Sequence, residues 1–369
     1  MIKILTVIGA RPQIIKAAAI SRAVRDNFSD KIQEKILHTG QHYDANMSQV
    51  FFDELGIPTP DYNLGVGSGS HGAQTAKMIE GIERVLCSEH FDGIILYGDT
   101  NSTLAGAVAA AKLHVPVFHI EAGLRSFNMF MPEEQNRIVC DHLSSILFAP
   151  TQTAVDNLAA EGLVSSKAVF QNGKGREVIK SGDVMYDNAL YFSKLAQDKS
   201  TILHDCGVEA NNYILATVHR DFNTDDPDRI GNIFKALSLI AEEDQIPVIL
   251  PLHPRTRKYL PAQFSNKIKL IPPASFFDIL ILEKNAKIVM TDSGGVQKEA
   301  FFFSRPCVIL RPETEWVEIL DNKAGILSDA PTHRILDAYH SLCYNKIAFP
   351  HLFGDGHASE KILRAIMAY

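Results

Sequence analysis

Two series of short apolar runs, each closing on a polar tip, constrain this chain more than any other feature. In the first series Ile2–Ile8 runs into Gly9-Ala10-Arg11-Pro12, Lys35–His38 into Thr39-Gly40-Gln41-His42, Gly93–Tyr97 into Gly98-Asp99-Thr100, and Val115–Ile120 into Glu121-Ala122-Gly123. In the second, Tyr213–Val218 runs into His219-Arg220, Val248–Leu252 into His253-Pro254, Ile288–Met290 into Thr291-Asp292-Ser293-Gly294-Gly295, and Pro306–Leu310 into Arg311-Pro312-Glu313. Helical stretches separate the runs. Apolar strands alternating with helices specify a mostly parallel sheet covered on both faces. Two blocks imply two doubly wound, Rossmann-like α/β domains facing each other across a cleft. At 369 residues the chain is long enough for both. The expected division is 1–180, 181–357 and a terminal helix, 358–369, packing back on the first domain.

Composition narrows the class. With 36 basic and 43 acidic residues the net charge is −7, so no basic field favours nucleic acid or an anionic membrane. No apolar stretch approaches the ~20 residues of a membrane helix, and the first run breaks at Gly9, which reads as a buried strand and not as a signal peptide. The five cysteines are scattered without a CxxC pair, which argues against a disulfide framework or zinc site and for a reducing, cytoplasmic setting.

In open α/β sheets ligands bind beyond the carboxyl ends of the strands, so the polar tips are the candidates. Asp292-Ser293-Gly294-Gly295 follows a strand and opens a helix, where free N–H groups and the helix dipole favour an anion. Ser293 adds a hydroxyl, Gly294 and Gly295 allow close backbone approach, and Glu299 two turns on suits a ribose diol. Asp and Ser are also ordinary N-caps; the strand–turn–helix setting favours a nucleotide diphosphate. This tip is neither the GxGxxG nor the GxxxxGKS pattern, so NAD and ATP are not indicated. Arg11 and Lys16 place two cations at the first turn. Asp99, Glu121 and Glu133, with Arg137 nearby, supply the carboxylates that proton removal from carbon and readdition require, although Asp99 also fits a cap and Glu133 a first-turn acid. Glu121 ends a buried run, a costly place for an unused carboxylate. His219-Arg220 and His253 are candidate phosphate contacts. No histidine spacing matches a metal motif.

Taken together, these residues resemble the UDP-N-acetylglucosamine 2-epimerase family. The ordered set is Gly9-Ala10-Arg11-Pro12 with Lys16, Thr39-Gly40-Gln41-His42, Gly98-Asp99-Thr100, Glu121-Ala122-Gly123-Leu124-Arg125, Pro132-Glu133-Glu134, His219-Arg220, Asp292-Ser293-Gly294-Gly295 with Glu299, and Gly354-Asp355-Gly356. The resemblance implies a GT-B architecture, a UDP-sugar substrate, a homodimer, and no metal or redox cofactor. It implies loss of the C2 proton and of UDP, then readdition on the opposite face, with interconversion of UDP-GlcNAc and UDP-ManNAc for polysaccharide precursors. Asp99, Glu121 and Glu133 become the proton-transfer candidates, with His219 beside them. Arg11, His219 and Arg137 become polar site residues near the phosphates or acids, and Ser293, Gly295 and Glu299 the UDP contacts.

Ser126–Met131, Gly182–Asp187 and Thr314–Glu318 look like the branch acting on UDP-2,3-diacetamido-2,3-dideoxy-glucuronate. Phe130 stands where members often carry a basic residue, Phe222 replaces an acid of the HR-x-EN pattern, and Trp316 stands where the simple UDP-GlcNAc enzymes tend to have Arg. A GT-B glycosyltransferase needs one base at most, a UDP-sugar sensor would keep Ser293, Gly295 and Glu299 without needing Asp99, Glu121 and Glu133 together, and a hydrolysing epimerase would release free N-acetylmannosamine.

Overall fold

The structure is a computed structural model, and it describes residues 1–41, 55–167, 174–252 and 254–369. His42 and His253, both singled out above, lie outside the described residues. The chain divides into two compact units: Met1–Asn188 with Leu352–Tyr369, and Ala189–His351.

The first unit holds a seven-stranded, all-parallel sheet. Its strands are β1 (Ile2–Ile8), β2 (Ile32–His38), β3 (Tyr62–Asn63), β4 (Gly93–Tyr97), β5 (Val117–Ile120), β6 (Ile146–Ala149) and β7 (Glu177–Lys180), in the order β3-β2-β1-β4-β5-β6-β7. Strands β4, β5 and β6 are buried along their whole length, as covering both faces with helices requires. One covering helix, Asn101–Lys112, is rich in alanine and comes so close to the sheet that a Cβ on Gly106 would lie 2.5 Å from Leu96.

The second unit repeats the plan with β8 (Ile214–Thr217), β9 (Val248–Pro251), β10 (Ile268–Ile271), β11 (Ile288–Thr291), β12 (Cys307–Ile309) and β13 (Gly325–Leu327), in the order β10-β9-β8-β11-β12-β13. The amphipathic helix Pro227–Glu243 buries Ile230, Ile233, Phe234, Leu237 and Ile240 against one face. Both sheets start in the middle, run outwards on one side, then return to the centre and run outwards on the other. The chain reverses direction between β1 and β4 in the first unit, and between β8 and β11 in the second. Those two points are where a crevice forms at the strand ends.

Five strands, β3, β6, β7, β10 and β13, were not read from the sequence. They are two to four residues long, and the peripheral ones are partly exposed, so they lack the continuous apolar run of a central strand.

The division between the units falls inside one continuous helix, Val184–Lys199, eight residues beyond the expected boundary at 180. The cause is the Gly182–Asp187 segment, which fastens the returning chain. Gly182 and Gly354 both have positive φ and meet backbone to backbone, and the Asp183 N–H donates to the Phe353 carbonyl at 2.9 Å. Asp187 accepts from the Ala358 and Ser359 N–H groups and from the Ser359 hydroxyl, at 3.0, 2.8 and 2.7 Å, and so caps the helix Ala358–Ala368. That helix packs on Arg11–Ala23, and Tyr369 meets Phe118 of β5 edge to face, 5.8 Å between centroids. No helix among the described residues is long and apolar enough to cross a membrane.

Removing the buried cap should be costly, because its donors lose their acceptor. Asp187→Ala is expected to destabilise the first unit by about 1–3 kcal/mol and to speed amide exchange along Ala358–Ala368 first. Unchanged exchange in that helix would show that the cap contributes nothing.

Candidate active site

In the first unit the acids and cations gather at the switch point. Gln13 holds the end of β1 against β4: its amide oxygen accepts from the Gly9 and Ala10 N–H groups at 2.9 and 3.2 Å, and its amide nitrogen donates to the Tyr97 carbonyl at 3.1 Å. Gly9 has no room for a side chain, since a Cβ would sit 2.1 Å from the Thr39 hydroxyl.

Glu121 follows β5 in a left-handed conformation, φ 68°, rare for a residue with a side chain. Such backbone strain gathers at functional positions. Its carboxylate is buried and receives the Lys16 ammonium at 2.6 Å. The sequence reading set Lys16 beside Arg11 as a phosphate cation; the structure turns Lys16 inward to Glu121 and leaves Arg11 exposed one turn earlier. Gly98 makes this pair possible. It has φ 60°, and a Cβ there would lie 3.2 Å from both the Glu121 carboxylate and the Lys16 ammonium.

Arg137 completes the cluster. It is buried, donates to the Asp99 carboxylate and to the Glu121 carbonyl, and lies 3.7 Å from the Glu121 carboxylate. Burial disfavours its charge, but Asp99 and then Glu121 more than compensate and raise its pKa. Asn136 donates to the Asp99 carbonyl at 2.9 Å. Lys16, Glu121, Arg137 and Asp99 therefore alternate in sign across two adjacent strand tips.

Glu133 stands exposed on the first turn of the helix Pro132–Leu143. Its neighbour Glu134 is the one turned inward, accepting from the Ser126 N–H and hydroxyl at 2.8 and 2.9 Å and from the Phe127 N–H at 3.1 Å. Glu134 thus fastens the loop that leaves Phe130 exposed. Glu134, Arg137 and Asp141 recur at i, i+3 and i+7, a polar stripe on the buried face of this helix. That spacing was readable, yet it left Glu134 and Asp141 unnoticed among ordinary surface charges.

In the second unit Asp292 is the central acceptor. Fully buried after β11, it takes the His219 N–H at 3.0 Å, the Arg220 N–H at 3.0 Å and the Asn223 amide at 3.2 Å. Asp292 thereby ties the end of β8 to that of β11. The His219 ring is part-exposed with Nδ1 3.4 Å from Asp292, and Arg220 is exposed. Ser293 caps the helix Gly294–Phe302, and Gly295 is open to solvent at its first turn. Gly294 is covered by Glu315, itself paired with Arg311 at 3.1 Å. Two departures noted in the sequence have structural explanations: Phe222 lies under the Arg229 guanidinium, and Trp316 is buried with the Lys298 ammonium 4.2 Å from its ring centroid.

Glu299 has a partner that the sequence did not suggest. Glu283, wholly buried on the helix Phe276–Asn285, shares a hydrogen bond with it. Burial first, then the charge and hydrogen bond of Glu299, push the Glu283 carboxyl well above the usual range. One of two such carboxyl groups must donate as an acid, and Glu283 is that one.

Residues 26–367 match the profile of the UDP-N-acetylglucosamine 2-epimerase family. A Pseudomonas aeruginosa protein named UDP-2,3-diacetamido-2,3-dideoxy-D-glucuronate 2-epimerase is 47% identical over 362 residues, covering 98% of each chain. A Methanocaldococcus jannaschii UDP-N-acetylglucosamine 2-epimerase is 39% identical over 373 residues, 99% of this chain and 98% of its own. The crystal structure of the M. jannaschii enzyme in complex with UDP-GlcNAc and UDP superposes with a TM-score of 0.84 at 39% identity, covering both chains completely. This chain belongs to the UDP-N-acetylglucosamine 2-epimerase family, and its fold is of the α/β GT-B class.

The raised Glu283 carboxyl has a pH signature. A carboxyl that holds its proton more tightly folded than unfolded loses stability for the fold as pH rises above the unfolded value, about 4.3. Glu283→Gln removes that loss, so its thermal stability relative to the parent chain should improve as the pH is raised above the unfolded value. A pH-independent difference would mean that Glu283 ionises normally.

Proposed function

We propose that this chain is an isomerase that interconverts UDP-N-acetylglucosamine and UDP-N-acetylmannosamine. The observation that carries this reading is the pair of carboxylates, Asp99 and Glu121, on adjacent strand tips, each bonded to a buried cation, in a chain of this family. Inverting a carbon through its proton calls for an acid or base on each face, and two carboxylates held on separate tips supply them. One takes the C2 proton as the C1–O bond to UDP breaks, leaving a 2-acetamidoglucal and UDP. UDP then returns to C1 while a proton is delivered to the other face of C2. Glu133, exposed one turn before Arg137, is the third candidate in this exchange.

The second unit takes the nucleotide in this reading. Ser293, Gly294 and Gly295 at the helix terminus receive the diphosphate, with His219 and Arg220 as its hydrogen-bonding and cationic contacts. Glu299 accepts from the ribose hydroxyls. Lys16 and Arg137 act on the acids, as orienting counter-charges. Solved relatives bound to UDP-GlcNAc support a UDP-sugar ligand. A homodimer in the cytoplasm is the setting the family resemblance suggests.

A second reading, the 2-epimerisation of UDP-2,3-diacetamido-2,3-dideoxy-glucuronate, is favoured by the 47% identity to the P. aeruginosa protein against 39% to the M. jannaschii enzyme. Proton NMR in D2O separates the two. Deuterium at C2 together with a UDP-N-acetylmannosamine signal is expected from UDP-GlcNAc, whereas a silent spectrum with UDP-GlcNAc and C2 exchange in the diacetamido-uronate would select the second. Free N-acetylmannosamine would mean hydrolysis.

Asp99→Asn and Glu121→Gln are each expected to collapse turnover while UDP still binds in calorimetry; loss of UDP binding in both, with the fold intact, would overturn the assignment. Glu299→Ala should weaken UDP by about 1–3 kcal/mol, as for a hydrogen bond to a charged group. Unaltered affinity would remove Glu299 from the nucleotide site.

A further inference from the structure

Beneath the two acid-bearing tips lies a second layer of charge with no exposure at all. His119 of β5 and Asp141 of the helix Pro132–Leu143 are both completely buried and bond Nδ1 to Oδ1 at 2.7 Å. The other ring nitrogen, Nε2, lies 2.8 Å from the Gly98 carbonyl, the residue before Asp99. The second Asp141 oxygen accepts from the Gly123 N–H at 3.2 Å, two residues after Glu121, and from Arg125 at 2.8 Å. Arg125 is anchored in turn by Glu161 at 2.6 Å.

Each ring nitrogen of His119 faces an acceptor, so each must carry a proton. Burial works against the charged ring, but Cys140 and the hydrogen bond to Asp141 outweigh it and raise the imidazole to about 10. Burial likewise works against the Asp141 charge, and the bond from His119 with the charges of His119 and Arg125 hold it below the usual carboxylate range. Such a buried charged set is an expensive way to fill a core. Apolar side chains of similar volume are often as stable or more so. What apolar residues cannot do is bond the Gly98 carbonyl and the Gly123 N–H at once.

We propose that His119 and Asp141 are positioning residues that fix Asp99 and Glu121 relative to each other, His119 by donating to the Gly98 carbonyl and Asp141 by accepting from the Gly123 N–H. The brace rests on the reading of Asp99 and Glu121 as proton-transfer groups. Gly98 and Gly123 are both in left-handed conformations, φ 60° and 79°; the last sheet bonds at these tips are from the Gly98 N–H to the Ile120 carbonyl at 3.0 Å and from the Ala122 N–H to the Phe148 carbonyl at 3.1 Å, and the brace adds the Gly98 carbonyl and the Gly123 N–H to them. Without the brace the Gly98–Asp99 turn loses one of its fixed points, while nothing in the second unit changes.

The test separates the two ends of the imidazole. Asn at position 119 places an amide near Nδ1, so His119→Asn keeps the bond to Asp141 and releases the Gly98 carbonyl. Gln places its amide near Nε2, so His119→Gln keeps the Gly98 bond and releases Asp141. Both variants lose one buried hydrogen bond and the ring, so a purely structural role lowers the melting temperature of both and distinguishes neither in turnover by the folded protein. The brace predicts at least a 30-fold fall in kcat for His119→Asn with UDP affinity unchanged, and kcat within about 5-fold of the parent for His119→Gln, each fold-change being read as a change in barrier. Equal kcat in the two variants would overturn it. Asp99→Asn is assayed alongside: if it turns over normally the proton-transfer reading fails, whereas its collapse beside an unaffected His119→Asn leaves that reading and removes the brace. Should either position-119 variant fail to fold, nitrogen NMR of the parent chain at pH 8 decides. Both ring nitrogens protonated is the expected result, and a bare Nε2 would overturn the proposal.

Discussion

A carboxylate buried beside a buried ammonium must be matched by geometry, because neither charge has water to fall back on. The Lys16–Glu121 pair imposes that condition on everything around it. It requires the left-handed turn at Glu121, which lets a residue leaving β5 face back toward the helix Arg11–Ala23. It requires glycine at 98, since any side chain there would press on both partners. It also requires that helix to start directly after β1, so that Lys16 arrives one turn later on the inward side. Arg137 then extends the same alternation of charge to Asp99. The order of the strands follows suit, for only a sheet that reverses between β1 and β4 sets these tips side by side.

The second unit reaches a comparable end by opposite means. At its switch point a single buried carboxylate, Asp292, gathers backbone N–H groups from the neighbouring tip. The cations there are left at the surface: Arg220 is exposed and the first turn of the helix Gly294–Phe302 is open at Gly295. The first unit spends its positive charge on its own acids, whereas the second keeps its helix terminus and Arg220 available for an anion. One architecture thus carries a cluster of paired acids and cations at one switch point and an open helix terminus at the other, which differ in where the paired charges stop.

Much of this was legible in the sequence, and for identifiable reasons. Central strands such as β1 and β4 are largely buried and so announce themselves as mostly apolar runs, both to the residue. The tips were legible because glycine is needed where the chain turns sharply, as at Gly98 and Gly123. What stayed hidden was pairing at a distance. Glu134 and Glu133 are indistinguishable in a row of acids until a loop eight residues earlier is seen to close on Glu134. His119 lies within an apolar run and Glu283 next to Lys284, and neither setting reveals the partner, 22 and 16 positions away, that each one meets. The Gly182–Asp187 motif was noticed but not understood. It is a fastening for the returning chain, which no local pattern reveals.

That fastening bears on how the molecule is assembled. Asp187 is made well before the helix it caps, and the whole of the second unit, 163 residues from Ala189 to His351, is threaded between them. On a ribosome the second unit has all of its strands in hand before the first has its last helix. Folding therefore cannot run strictly from front to back: the unit begun first is finished last, by contacts of very high sequence separation, which close slowly. Until residues 352–369 dock, the apolar flank of the helix Arg11–Ala23 and the ring of Phe118 lack their covering. A chaperone would find them there in the nascent chain and nowhere in the finished one.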